Sequence, residues 1–208
     1  MLYDIFQYGN QIELNLQVNS SDILNDLRPF KNNWTQYNTL RPEIPRQGLC
    51  VINEKGKIGP GPALNSIPQW NKMYNTSLDE LQFDKPTEVY NSSKTIQNLM
   101  KDCFSFSVRT HFLKLLPGGY FPPHRDSNKR YPVTFRAIIP IINTDPPRVR
   151  FMLEDKTLHW KIGRMYVVNT NLEHTLMNYS NEDSIWLVFN FVTCDESINF
   201  VLNNLKIK

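Results

Sequence analysis

His124 and Asp126 are separated by a single residue and follow Gly118-Gly119-Tyr120-Phe121-Pro122-Pro123. The glycines permit a tight turn, and the two prolines force an extended entry. In an extended segment residues i and i+2 project to one face, so an imidazole and a carboxylate stand side by side. His174 follows 50 residues later in a strand-like stretch. One histidine, one nearby acid and one distant histidine are the parts of a 2-His-1-carboxylate metal site. That geometry leaves positions on the metal for oxygen and a co-substrate, and it suits non-haem Fe(II) oxygenases. His-x-Asp alone is a weak signal, because a surface ion pair and an ordinary strand histidine would read the same way. His124-Arg125-Asp126 also spells the kinase catalytic-loop tripeptide. Here it runs on into Ser127-Asn128-Lys129-Arg130, without the glycine-rich loop and strand lysine that a kinase requires upstream.

Other side chains could serve such a site. Arg136 stands among Phe135, Ala137, Ile138 and Ile139, where an unpaired charge is costly to bury. A guanidinium that forks onto a carboxylate removes that cost. His111 could line a substrate pocket. Arg125, between two proposed ligands, points to the opposite face of its strand and could steer an acidic substrate. Asn178 could support the His174 strand through outer-shell hydrogen bonds. His159, between Leu158 and Trp160, reads as a lining or surface residue rather than a ligand.

These residues need a scaffold of strands. The 208 residues suit one compact unit able to bury a sizeable core. Residues 1–104 read as a helix-and-loop region packing on the rest rather than an independent domain. Ser21 could cap a short helix, a strand is expected at Leu49 to Asn53, and Ser92 or Ser93 could cap a helix through Cys103. Residues 105–193 read as strand after strand: Phe104–Leu116, Thr134–Ile142, Arg148–Glu154, Thr157–Ile162, Met165–Asn169, His174–Tyr179 and Ile185–Val192. Their alternation and turn chemistry predict a mainly β fold with flanking helices around a jelly-roll, double-stranded β-helix core. Ile198, Val201, Leu202 and Leu205, spaced i, i+3, i+4, i+7, predict a C-terminal amphipathic helix over 194–208.

His111 to Phe191 resembles the aspartyl/asparaginyl β-hydroxylase-like family, which includes some free-proline hydroxylases. The matching words are Leu115-Leu116-Pro117-Gly118-Gly119, Pro123-His124-Arg125-Asp126, Arg136-Ala137-Ile138-Ile139-Pro140, Gly163, His174 with Asn178, and the apolar stretch Ile185 to Val192. The resemblance implies a double-stranded β-helix (cupin-like) dioxygenase that binds Fe(II) and uses 2-oxoglutarate. It implies His124, Asp126 and His174 as iron ligands and Arg136 as a contact to the co-substrate. The substrate would be an amino-acid or peptidyl side chain. The family usually carries a second arginine ten residues after the distal histidine, which anchors the far carboxylate of 2-oxoglutarate. Here that position is Ser184, and a hydroxyl does not replace the charge. Either another cation, Arg164, Arg150 or Lys161, reaches the same place, or the co-substrate binds weakly or differently.

Composition narrows the class. Twenty-three basic and 20 acidic residues leave a net charge of +3, too weak a bias for an electrostatic nucleic-acid binder. Three cysteines without a CxxC spacing argue against a thiolate zinc site. A start without a cationic, then apolar, leader and the lack of an 18-residue apolar window suggest a cytoplasmic protein with no membrane span. The amphipathic C-terminal helix is a natural element for a homodimer. Two rivals share the same parts: a cupin-type metalloprotein that does not use 2-oxoglutarate, and a catalytically inactive jelly-roll binding module.

Overall fold

The structure is a computed structural model describing residues 2–127 and 132–206. Its strands are β1 (Gln11–Gln17), β2 (Thr35–Gln36), β3 (Arg46–Cys50), β4 (Ile52–Asn53), β5 (Lys85–Pro86), β6 (Ser107–Leu115), β7 (Tyr120–His124), β8 (Thr134–Ile142), β9 (Val149–Leu153), β10 (Lys156–Thr157), β11 (Arg164–Val168), β12 (His174–Asn178) and β13 (Ser184–Val192). The helices are α1 (Leu2–Phe6), α2 (Ser20–Leu27), α3 (Ile67–Tyr74), α4 (Glu88–Ser92), α5 (Lys94–Met100) and α6 (Asp195–Asn203). A seven-stranded sheet runs β1-β11-β8-β13-β6-β3-β2, and a four-stranded sheet runs β10-β9-β12-β7. The two sheets enclose Leu113, Leu115, Ile138, Phe151, Trp160, Tyr166, Leu176 and Trp186. This is the jelly roll expected from the strand pattern.

Strand alternation sorts the large sheet into two faces. Phe112, Phe135, Ala137, Ile139, Met165, Val167, Leu187, Phe189 and Phe191 join one cluster with Ile23 and Leu27 of α2, Ile96 and Met100 of α5, and Ile198 and Val201 of α6. The intervening residues face the small sheet. The central strands are covered on both sides, so they read as nearly continuous apolar runs. A polar residue in such a run stands out for that reason.

Several expected elements are placed differently. β1 and β2 lie in the stretch read as helix and loop, and with β3 they extend the large sheet through pairing to β11 and β6. The alternation of Ile12, Leu14 and Leu16 was overshadowed there by polar neighbours. The expected strand Thr157–Ile162 pairs only through Lys156 and Thr157; beyond it Trp160 turns inward to meet Phe151 and Tyr166. Ser93 does cap a helix, accepting from the Ile96 N–H, but α5 ends at Met100. α6 stops at Asn203, and Leu205 forms an isolated bridge with Leu14. The buried Ile198, Phe200 and Val201 of α6 pack within the chain's own core, while residues 207–208 lie outside the described range. Among the described residues no helix is long and apolar enough to cross a membrane.

Candidate metal centre

His124 ends β7 and His174 begins β12, and the two are direct cross-strand partners. Their rings stand 4.3 Å apart, centroid to centroid. Antiparallel pairing thus removes the 50-residue separation. Just past β7, the Asp126 N–H donates to the Thr170 carbonyl at 3.0 Å. That bond holds the acid beside the histidines. Ligand atoms from His124, Asp126 and His174 all lie within 4.8 Å of one another.

The protonation pattern suits a metal. His124 Nδ1 lies 2.7 Å from the Pro122 carbonyl, and His174 Nδ1 lies 3.1 Å from the Leu172 carbonyl. A carbonyl only accepts, so each Nδ1 carries a proton and Nε2 is the atom left for a metal when the ring is neutral; without an ion, burial is outweighed by Asp126 and the Pro122 carbonyl, which raise the His124 pKa. Those Nε2 atoms stand 3.5 and 3.8 Å from Asp126 Oδ1. The other oxygen, Oδ2, accepts from Arg136 Nε at 2.7 Å. Two imidazole Nε2 atoms and one carboxylate oxygen therefore cluster, each side chain oriented by its outer bond, as metal ligands commonly are. His124, Asp126 and His174 would hold one ion between them.

Charge around the centre is arranged in a chain. Arg136, on β8, lies in register with Asn190 and Val168. Its Nη1 approaches Glu80 Oε1 at 3.8 Å. Glu80 accepts from Arg109 Nη1 at 3.0 Å and from the Thr134 hydroxyl at 2.6 Å. Burial works against the Arg136 charge, but Asp126 and Glu80 outweigh it and hold its pKa above the usual guanidinium range. Burial would raise the Asp126 pKa, but Arg136, His124 and His174 hold it well below the ordinary carboxylate range. Burial pulls His174 down against the pull of Asp126, which keeps its ring neutral and able to ligate.

The remaining predicted residues separate into two groups. His111 lines an inner cavity of about 80 Å³ with the three proposed ligands, Leu113, Ile138 and Phe151. Its Nδ1 lies 3.0 Å from the Arg109 carbonyl, and burial and Arg109 push its pKa down to about 3. Its ring is therefore neutral, with Nδ1–H donating to that carbonyl. Arg125 is exposed at the rim of an outer cleft of about 640 Å³. Asn178 lies at the other end of β12. It donates to the Leu115, Leu116 and Glu182 carbonyls and accepts from Ser180. It pins strand ends and does not touch His174. Ser184 is fully buried and accepts from the Trp186 indole. Arg164 faces Glu13 at 3.9 Å and lines neither cavity. Arg150 and Lys161 are exposed and also outside both cavities. The expected replacement cations thus lie elsewhere, because β9 turns Arg150 outward and Lys161 sits in the loop before β11.

Arg46, Tyr37, Glu80 and Arg109 are site-lining residues that sequence reasoning missed. Arg109 had a signal of sorts. It takes a positive φ of 43° at an irregularity between β6 and β13. Such bulges re-aim side chains near sites, but the pairing that makes one is invisible in a single strand.

A family model for aspartyl/asparaginyl beta-hydroxylase matches residues 35–193. The chain belongs to that family of hydroxylases. A Pseudomonas putida prolyl-4-hydroxylase is similar at 12% identity over 91% of this chain and 95% of that one, with a TM-score of 0.51. A Burkholderia pseudomallei oxidoreductase of the 2OG-Fe(II) oxygenase family matches at 15% identity over 49% and 57%, TM-score 0.38. A Bordetella pertussis cupin domain matches at 17% identity over 41% and 80%, TM-score 0.31. Among curated proteins, none matches the sequence.

Proposed function

We propose that the protein is an Fe(II)- and 2-oxoglutarate-dependent hydroxylase acting on an amino-acid or peptidyl side chain. The observation that carries this reading is the cross-strand pairing of His124 with His174 around Asp126, with a ligand atom of each within 4.8 Å of the others. Fe(II), oxygen and 2-oxoglutarate would supply oxidative C–H hydroxylation, with succinate and carbon dioxide as by-products. The chain's part is orientation and exclusion of water. His124, Asp126 and His174 would hold the ion on one side. Phe151 stacks on His174 with ring planes 6° apart, and Leu113, Ile138, Leu176 and Val188 supply apolar wall to the inner cavity beside the polar groups of the site. The outer cleft, rimmed by Arg41, Arg125 and Thr170, would admit the substrate.

A second reading, a cupin-type metalloprotein without 2-oxoglutarate, is favoured by the uncharged Ser184. Anaerobic addition of Fe(II) and 2-oxoglutarate separates the two. The hydroxylase gives a visible charge-transfer band that is absent in His174→Ala, and it forms succinate in air. Metal uptake with neither signal leaves the cupin reading. No metal uptake leaves a binding module.

A further inference from the structure

Arg46 is the buried cation of the cleft that has no acid of its own. The residue is 3% exposed, and among the described residues no carboxylate forms an ion pair with it. Nη1 donates to the Tyr120 carbonyl at 3.1 Å, while Nε is buried without a partner. The guanidinium sits 4.1 Å over the Phe121 ring and 5.5 Å over the Tyr37 ring. Two aromatic faces hold its position without neutralising it. The contrast with its neighbours is direct. Arg136 is tied to Asp126 and Glu80, and Arg109 to Glu80 and the Ala63 and Asn65 carbonyls.

Its place in the sheet gives the second argument. Arg46 pairs with Leu115, and Leu115 pairs with Ser184. Cross-strand partners present side chains to one face, so Arg46 and Ser184 share a row on the barrel side, two strands apart. Phe121 in turn stacks on His124, with ring centroids 6.0 Å apart. Arg46, His124 and Asp126 line the same cleft. A buried, preorganised and unneutralised guanidinium is a receptor for a carboxylate, which it can bind through two donors.

We propose that Arg46 binds a carboxylate in the cleft beside the candidate metal centre. Two sources share that chemistry: the far carboxylate of 2-oxoglutarate, and a carboxylate of the substrate. The inference rests on the hydroxylase reading for its ligands, and the test separates the two. The full chain, loaded anaerobically with Fe(II), is titrated with 2-oxoglutarate and with 2-oxobutyrate, which lacks the far carboxylate. The charge-transfer band is the readout. The 2-oxoglutarate complex is then titrated with free amino acids and their carboxamides, following the change in the band. If the first source holds, the wild type prefers 2-oxoglutarate at least tenfold. Arg46→Gln then loses that preference while binding 2-oxobutyrate within twofold of wild type, and Arg46→Lys recovers part of it. If the second holds, 2-oxoglutarate binding is unchanged, and Arg46→Gln loses a preference for a free acid over its amide. The unchanged 2-oxobutyrate affinity reports an intact fold and metal site. An Arg46→Gln variant that keeps every preference of the wild type overturns the inference and leaves the hydroxylase reading standing. Failure of the wild type to give a band with either oxo acid overturns both.

Discussion

On the helix-covered face of the large sheet, Phe112, Phe135, Ala137, Ile139, Leu187, Phe189 and Phe191 meet α2, α5 and α6 in one apolar cluster. On the barrel face the intervening positions of the same strands are His111, Leu113, Arg136, Ile138 and Asn190. The first face gains stability from dry packing, worth about 25 cal/mol per Å² of apolar surface removed from water. The second gives up part of that gain to place charge in a low-dielectric space, where an unpaired group is costly. Its charges are accordingly chained, Asp126 to Arg136 to Glu80 to Arg109. Arg46 is the exception. The comparison teaches that one strand can carry stability and chemistry at once, because its side chains alternate.

Substitutions on the two faces should therefore have different signatures. His174→Ala is expected to abolish measurable Fe(II) uptake, exceeding the roughly 10–100-fold loss typical of outer-shell changes, while the unfolding midpoint of the metal-free protein moves little. Fe(II) titration alongside thermal unfolding checks both halves. Phe189→Ala on the opposite face should do the reverse. It empties a fully buried ring site and should lower stability by about 3–5 kcal/mol, read by denaturant unfolding. Fe(II) stoichiometry per folded chain should remain that of the wild type.

Glu80→Gln probes the charge chain. It removes the anion facing two arginines and should cost about 1–3 kcal/mol near neutral pH. Burial would raise the Glu80 pKa, but Arg136 and Arg109 hold it below 4.5, its ordinary value. A carboxylate with a depressed folded pKa contributes stability above its unfolded pKa. That contribution is lost as pH falls through the folded value. The gap between wild type and Glu80→Gln should thus be widest at neutral pH and shrink below about pH 4.5. A gap that widened in acid would contradict the pairing. The smallest effect belongs to Asn19, whose side chain caps α2 by accepting from the Ser21 N–H. Asn19→Ala should cost about 1 kcal/mol on the helix-covered face and leave metal uptake untouched.

Legibility followed the range of the signal. β8, Thr134–Ile142, was readable to the residue because its apolar run is long and bounded by turn chemistry. β1 was missed because Gln11, Glu13, Asn15 and Gln17 alternate with only three apolar residues on an edge strand. The His-x-Asp pair could be read from local geometry, since two residues of one extended segment share a face. His174 could be proposed as the third ligand from its type and its strand-like stretch, but its pairing opposite His124 could not be read, because cross-strand register has no local marker. Arg46 lies outside the stretch that carried the resemblance. Nothing in Pro45-Arg46-Gln47 announces a cavity.

The order of residues by itself determined the strand-rich half, the pairing of His124 with Asp126 in one extended segment, and an arginine at 136 where only a charged partner makes burial tolerable. Those follow from periodicity, proline and glycine stereochemistry and the cost of desolvation, which act over a few residues. Tertiary structure alone decided that β7 and β12 lie in register, that Asp126 and Glu80 divide Arg136 between them, and that Arg46 shares a row with Ser184. Each of these is a distance between segments remote in the chain, fixed by sheet closure and core packing rather than by any neighbour in sequence.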